Sequence, residues 1–240
     1  MAGIGLGAFV LLELHQRVPM VDLSLFRSGT FAGANIVVLL VFLAMFGVFF
    51  FVSLYVQGIL GYSPVQAGAL FLPMTVLIML VAPVAGKYSD RIGSRWLIVA
   101  GMLLLATHLL LLSNLDVDST FWNILPALIL GGFGMSLTMT PATAAAIGSV
   151  PVTKAGIGSG VLNTFRQVGG ALGIAVMGAI VAAQIDVVPG APAFREQFMD
   201  GFSIALRVAS AIALAGALAA AVLIRKYRHI EAAEVEAVAA

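Results

Sequence analysis

Asn163, Arg166, Gln167 and Gly170 stand at i, i+3, i+4 and i+7 inside an otherwise apolar stretch running from Ile157 to Ala183. A helix puts all four on one stripe and leaves Leu162, Phe165, Val168 and Leu172 for the other faces. The arginine can donate to carbonyls, hydroxyls or oxyanions, but it cannot carry a proton, because the guanidinium stays protonated. It falls about eight residues into the helix, roughly 12 Å along its axis. Left in hydrocarbon it would cost about 2.5–3.5 kcal/mol on insertion scales, so it must face a cavity or a partner. Asn163, Arg166 and Gln167 are therefore expected to line or brace a polar pathway; a purely structural bond between helices is the other reading.

A second cluster is Gly86-Lys-Tyr-Ser-Asp-Arg-Ile-Gly-Ser-Arg95. It is predicted to join two spans through a tight turn, with Gly86 and Gly93 allowing close packing. Asp90 can accept from backbone N–H groups at the start of the next helix, or pair with Arg91 or Arg95. Such a cluster can latch one helical bundle against another, or simply cap a helix within a basic loop.

Further candidates are sparser. Gly132, Ser136, Thr140 and Thr143 form a stripe at i, i+4, i+8 and i+11 beside Pro141, and Gly156/Gly160 and Gly169/Gly173 repeat the small-residue spacing. They read as packing, or as a flexible pair facing a pathway with Thr140 on its wall. Tyr55 and Gln57 end one apolar run and could line a vestibule, or Tyr55 could be an interfacial anchor. Asn35 with Phe46, Phe49, Phe50 and Phe51 would suit an apolar pocket, or a lipid-facing or core cluster. His108 reads as a proton relay or as a histidine bonded to a backbone carbonyl. Arg207 is expected to snorkel. An intramembrane enzyme would have to use Ser159 and His108, but no nucleophile elbow or His-Glu-x-x-His pair exists, so no catalytic residue, metal or cofactor is expected.

What must position these residues is a membrane bundle. The chain is 61% hydrophobic and 10% charged, with mean hydropathy +1.10, whereas soluble domains carry about 25% charge. Apolar runs of spanning length containing Gly and Pro favour an all-α membrane protein over a barrel. With no cysteine, disulfides and thiolate metal sites are excluded. Six spans are predicted: Phe31–Ser53, Ala67–Gly86, Trp96–Ser113, Phe121–Ile147, Ile157–Ala183 and Gly201–Ile224. None contains Asp or Glu. If residues 13–30 are cytoplasmic, that side holds Arg17, Arg27, Lys87, Arg91, Arg95, Lys154, Arg225, Lys226 and Arg228, and the opposite side only Arg195. This bias sets the orientation and leaves the C-terminus cytoplasmic. The expected order is a partial helix at 1–12, a cytoplasmic loop at 13–30, a six-helix bundle at 31–230 and a cytoplasmic tail at 231–240.

The Gly86–Arg95 segment resembles the loop motif of the major facilitator superfamily, Gly-x-Leu-x-Asp-Arg-x-Gly-Arg-Lys/Arg. Gly86, Asp90, Arg91, Gly93 and Arg95 match, while Tyr88 and Ser94 depart from it. Pro19–Phe26, Leu54–Gln57, Gly61–Gly68, Pro73, Pro151–Gly160 and Asn163–Ala171 together cover nearly the whole chain and make it similar to the last six helices of the 14-helix drug:proton antiporter family. The resemblance implies the C-terminal half of a proton-coupled multidrug efflux transporter in a bacterial inner (plasma) membrane, with Met1–Leu12 ending the preceding helix. It implies a lipid bilayer, an amphipathic small-molecule substrate, and a missing N-terminal half or another membrane chain as partners, and no nucleic acid. Family members couple to protons mainly through acids in their first half. The chain is thus expected to be a fragment or a half-length gene product; the alternative is a non-transporting assembly partner of six spans.

Overall fold

The computed structural model describes residues 23–187, 191 and 193–224; the expected partial helix at 1–12 and tail at 231–240 lie outside them. After a 3-10 turn at Leu23–Arg27, the helices are α1 (Gly29–Leu54), α2 (Pro64–Leu70), α3 (Leu72–Ile92), α4 (Ser94–Leu112), α5 (Phe121–Gly148), α6 (Ala155–Ala182) and α7 (Phe194–Leu223). A π-helical turn, Tyr55–Ile59, prolongs α1. With α2 and α3 forming one span, six described helices of 19 to 31 residues are long and apolar enough to cross a membrane.

Local chemistry sets the ends. Ser28 accepts from the Phe31 N–H and starts α1, two residues before the apolar run. Ser63 and Gln66 form a reciprocal capping box with Pro64 at the first helical position, so the second span begins earlier than hydropathy alone indicates. Its other end differs from expectation too. Helix α3 runs on to Ile92, so Gly86–Ile92 is helix and not loop. Lys87, Tyr88, Ser89, Asp90 and Arg91 contain no helix breaker; only Gly93, at φ 93°, turns the chain. Such a positive φ suits glycine alone. Helix α7 likewise starts at Phe194 rather than Gly201, drawing Arg195, Glu196 and Asp200 out of the expected loop.

Helix α1 is the axis: it packs on α6, α7 and, less extensively, α5. Helix α5 in turn lies between α3 and α4, and α4 closes the assembly against α7. Phe31, Met45, Tyr55, Ile98, Met102, Leu109, Ile124 and Phe202 are fully buried between these helices. Backbone contact through glycine makes the tightest seam. A Cβ on Gly169 or Gly173 would run into the carbonyl oxygens of Leu39 or Leu43 on α1. Lipid tails are as apolar as Leu, so close approach of this kind supplies the attraction that burial alone cannot.

Candidate functional site

Helices α5 and α6 barely touch, and both lean on α1. Arg166 crosses the gap: its Nη2 donates to Thr143 Oγ1 at 2.9 Å, and its guanidinium carbon lies 5.9 Å from the centre of the Phe42 ring on α1. Its Nε is sealed from solvent without a hydrogen-bond partner. The cation turns inward, onto one neutral hydroxyl and one aromatic face.

The four-residue stripe divides around it. Asn163 and Gln167 are exposed and make no hydrogen bond to a described residue. Gly170 is buried, where a Cβ would stand 3.0 Å from the Phe46 ring. On α5, Ser136 bonds back to the Gly132 carbonyl at 2.9 Å and Thr140 is half-buried. Thr140 Cγ2 approaches Gly86 on α3, at 3.4 Å from where a Cβ would stand. Thr140 and Thr143 therefore link the α3 contact to the Arg166 contact within one turn of α5. The helix is continuous through Pro141.

At the α3–α4 turn, Ser89 Oγ and Ser94 Oγ are 2.8 Å apart and close the corner. Asp90 does not make the bonds open to it in the sequence: it is exposed and bonds neither to the start of α4 nor to Arg91 or Arg95. Arg91 is exposed as well. Arg95 instead lies 5.2 Å from the Trp96 ring centre, with its Nε buried and unpartnered. A groove of about 470 Å³ runs past Val84, Lys87, Tyr88, Asp90 and Arg91.

The remaining candidates do not join this cluster. Tyr55 is fully buried, donates to the Asp116 carbonyl at 2.6 Å and stacks on Phe202 with 5.4 Å between ring centres. Gln57 is exposed and bonds to Ser53 Oγ at 2.7 Å. Asn35 is fully buried; its amide donates to the Phe31 carbonyl at 2.9 Å, and its Oδ1 has no partner. The phenylalanines separate: Phe51 is in the core, Phe46 and Phe50 are exposed, and Phe49 contacts Phe71 at 5.4 Å. His108 donates from Nδ1 to the Ala127 carbonyl at 2.7 Å, over the space that Gly131 leaves. Arg207 is exposed.

Two features escaped sequence reasoning. Arg195 donates to the Ile59 carbonyl in the π-helical turn that prolongs α1, and Thr138 is buried against Gly101 with its hydroxyl unpartnered. Neither has a local signal; each depends on which distant helix arrives opposite. Among the described residues there is no group of three or more His, Cys, Asp or Glu able to hold a metal.

Against known proteins, residues 6–174 match the sequence profile of the Major Facilitator Superfamily. The multidrug resistance protein Stp of Mycobacterium tuberculosis is 36% identical over 182 residues, 76% of this chain and 34% of that protein. The tetracenomycin C resistance and export protein of Streptomyces glaucescens is 33% identical over 189 residues, 78% of this chain and 35% of that protein. The puromycin resistance protein pur8 of Streptomyces alboniger is 34% identical over 226 residues, 90% of this chain and 45% of that protein. The chain thus spans between a third and a half of the length of these relatives.

Proposed function

The chain belongs to the major facilitator superfamily, within its drug:proton antiporter family, and on that premise we propose that it forms the C-terminal half of a proton-coupled exporter of amphipathic small molecules. A second membrane half, from the same longer polypeptide or from another chain, completes the cavity. The assembly sits in a bacterial inner membrane with the α3–α4 turn and the C-terminus in the cytoplasm, the orientation favoured by Lys and Arg on that side.

The observation that carries this reading is the polar surface on α6. Asn163 and Gln167 are exposed and unpartnered, roughly 12 and 18 Å along a 28-residue helix. Polar side chains at that depth face a cavity or another protein surface rather than lipid tails. By contrast, Leu72, Val76, Met79, Leu80 and Val84 on α3 expose hydrocarbon alone, which lipid or an apolar helix satisfies equally. In this reading Asn163, Arg166, Gln167 and Thr140 form the wall of the route. Tyr55 and Asn35 hold α1 from within, and Gln57 lies at its outer mouth. Asp90, Arg91 and Arg95, with Gly86 and Gly93 shaping the turn, form a cytoplasmic latch that engages the second half when the route opens outward. The names of the relatives support a drug-like cargo.

The test is ethidium efflux from cells carrying this chain with its second half. Gln167→Leu is expected to lower efflux at least about tenfold with unchanged membrane abundance, the size of effect given by about 1.4 kcal/mol of lost binding. Efflux equal to wild type would remove Gln167 from the route. Assembly with the second half but no efflux of any drug by the wild-type chain would favour a non-transporting partner.

A further inference from the structure

Arg166 is a permanent cation without a counter-charge in the described structure. Asp90, Asp116, Asp118, Asp186, Glu196 and Asp200 are all exposed, at helix ends or in links, and none bonds to it. Its contacts are the Thr143 hydroxyl and the Phe42 ring, and its Nε is buried with no partner. Arg166 is half-buried and its described contacts are all neutral, whereas charges within membrane spans pair with one another or with backbone carbonyls.

Resting on the reading of this chain as one half of a transporter, we infer that the apposed half presents a membrane-embedded Asp or Glu carboxylate to Arg166, forming an ion pair between the halves. Three observations favour a protein carboxylate. The guanidinium is charged throughout the cycle, whereas cargo is bound for only part of it. Its planar fork matches a carboxylate in two parallel hydrogen bonds, which a lysine cannot reproduce. Asn163 and Gln167 flank it on the exposed side of α6 with their amides unpartnered, ready to donate to the remaining lone pairs. The gap between α5 and α6 that Arg166 bridges is the place where such a side chain enters.

The test starts from Arg166→Gln in cells where the chain and its second half export ethidium. Efflux falls at least tenfold, and revertants selected for drug resistance neutralise one embedded acid of the second half, Asp to Asn or Glu to Gln. Revertants confined to Thr143, Phe42 and their neighbours would make Arg166 a structural residue of this half and overturn the pair. So would wild-type efflux by Arg166→Gln. Selective loss of carboxylate-bearing drugs with ethidium efflux kept would assign the cation to cargo, again overturning it. A second readout stands apart from export. With the halves supplied as separate chains, Arg166→Asp is expected to lose co-purification with the second half and Arg166→Lys, which keeps the charge without the fork, to retain part of it; equal co-purification of wild type and Arg166→Asp contradicts the ion pair even if no drug is exported.

Discussion

The two ends of the bundle treat their polar groups differently. At the end that carries the α4–α5 link, Tyr55 donates to the Asp116 carbonyl, Arg195 reaches the Ile59 carbonyl, and Phe202 stacks between Tyr55 and Phe198. Ser119 accepts from the Asp116 N–H, and capping boxes at Ser63–Gln66 and Thr120–Asn123 fix two helix starts. At the end that carries the α3–α4 turn, Asp90 and Arg91 are exposed without a partner among the described residues. Gly148, Gly156 and Gly160 stand in open space, as Gly58, Gly61 and Gly68 do at the opposite end. Asn163 and Gln167 extend this unsatisfied surface into the membrane. One end is knit within the chain. At the other, Asp90, Arg91, Asn163 and Gln167 make no bond to a described residue.

The sharpest way to break that contrast uses glycines of identical spacing. Gly173→Leu would drive a side chain into the Leu43 backbone, an overpacking cost of about 3 kcal/mol or more. It should lower membrane abundance and the melting temperature in detergent steeply. Gly160→Leu meets open space and is expected to change neither measurably. Equal effects from the two would dissolve the distinction between packed and open glycines.

A smaller effect is expected at the knot formed by Tyr55, Asp116 and Phe202. Tyr55→Phe keeps the stack on Phe202 but strands the Asp116 carbonyl, costing about 1–1.5 kcal/mol. A melting temperature a few degrees lower, with efflux per folded molecule retained, is the expected result. An unchanged melting temperature would show that the knot contributes no stability.

These positions also mark what the sequence could reveal. Apolar runs of spanning length fix six helices whatever their neighbours, because in lipid each helix must satisfy its own backbone. The spacing of Gly169 and Gly173 announced a close approach, but not that α1 would be the helix approached. Tyr55 read equally as a vestibule residue or an interfacial anchor, and its contacts with Asp116 and Phe202 were out of reach because both partners lie far along the chain. The charges of Lys87–Arg91 suggested a loop, yet charge does not break a helix; Gly93 does. At Arg166 the need for a polar neighbour followed from solvation alone, while the identity of Thr143 required the fold.

The smallest stability change is expected at the α3–α4 turn. Asp90→Asn removes an exposed charge that has no described partner, so its effect on melting should stay within about 0.5 kcal/mol. Ethidium efflux is nevertheless expected to slow several-fold, since the proposed latch would act on a second half. Unchanged efflux removes the latch; a large loss of stability would mean that Asp90 is bonded within this half after all.

The chain contains no cysteine, so single cysteines can report which faces meet water. Cysteines at Asn163 and Gln167 on α6, and at the exposed apolar positions Leu214 and Leu218 on α7, can be challenged with a membrane-impermeant maleimide in inside-out vesicles. The α6 pair is expected to react and to be protected by excess drug, and the α7 pair to stay unlabelled. Labelling of the α7 pair with none at Asn163 and Gln167 would contradict a polar route along α6.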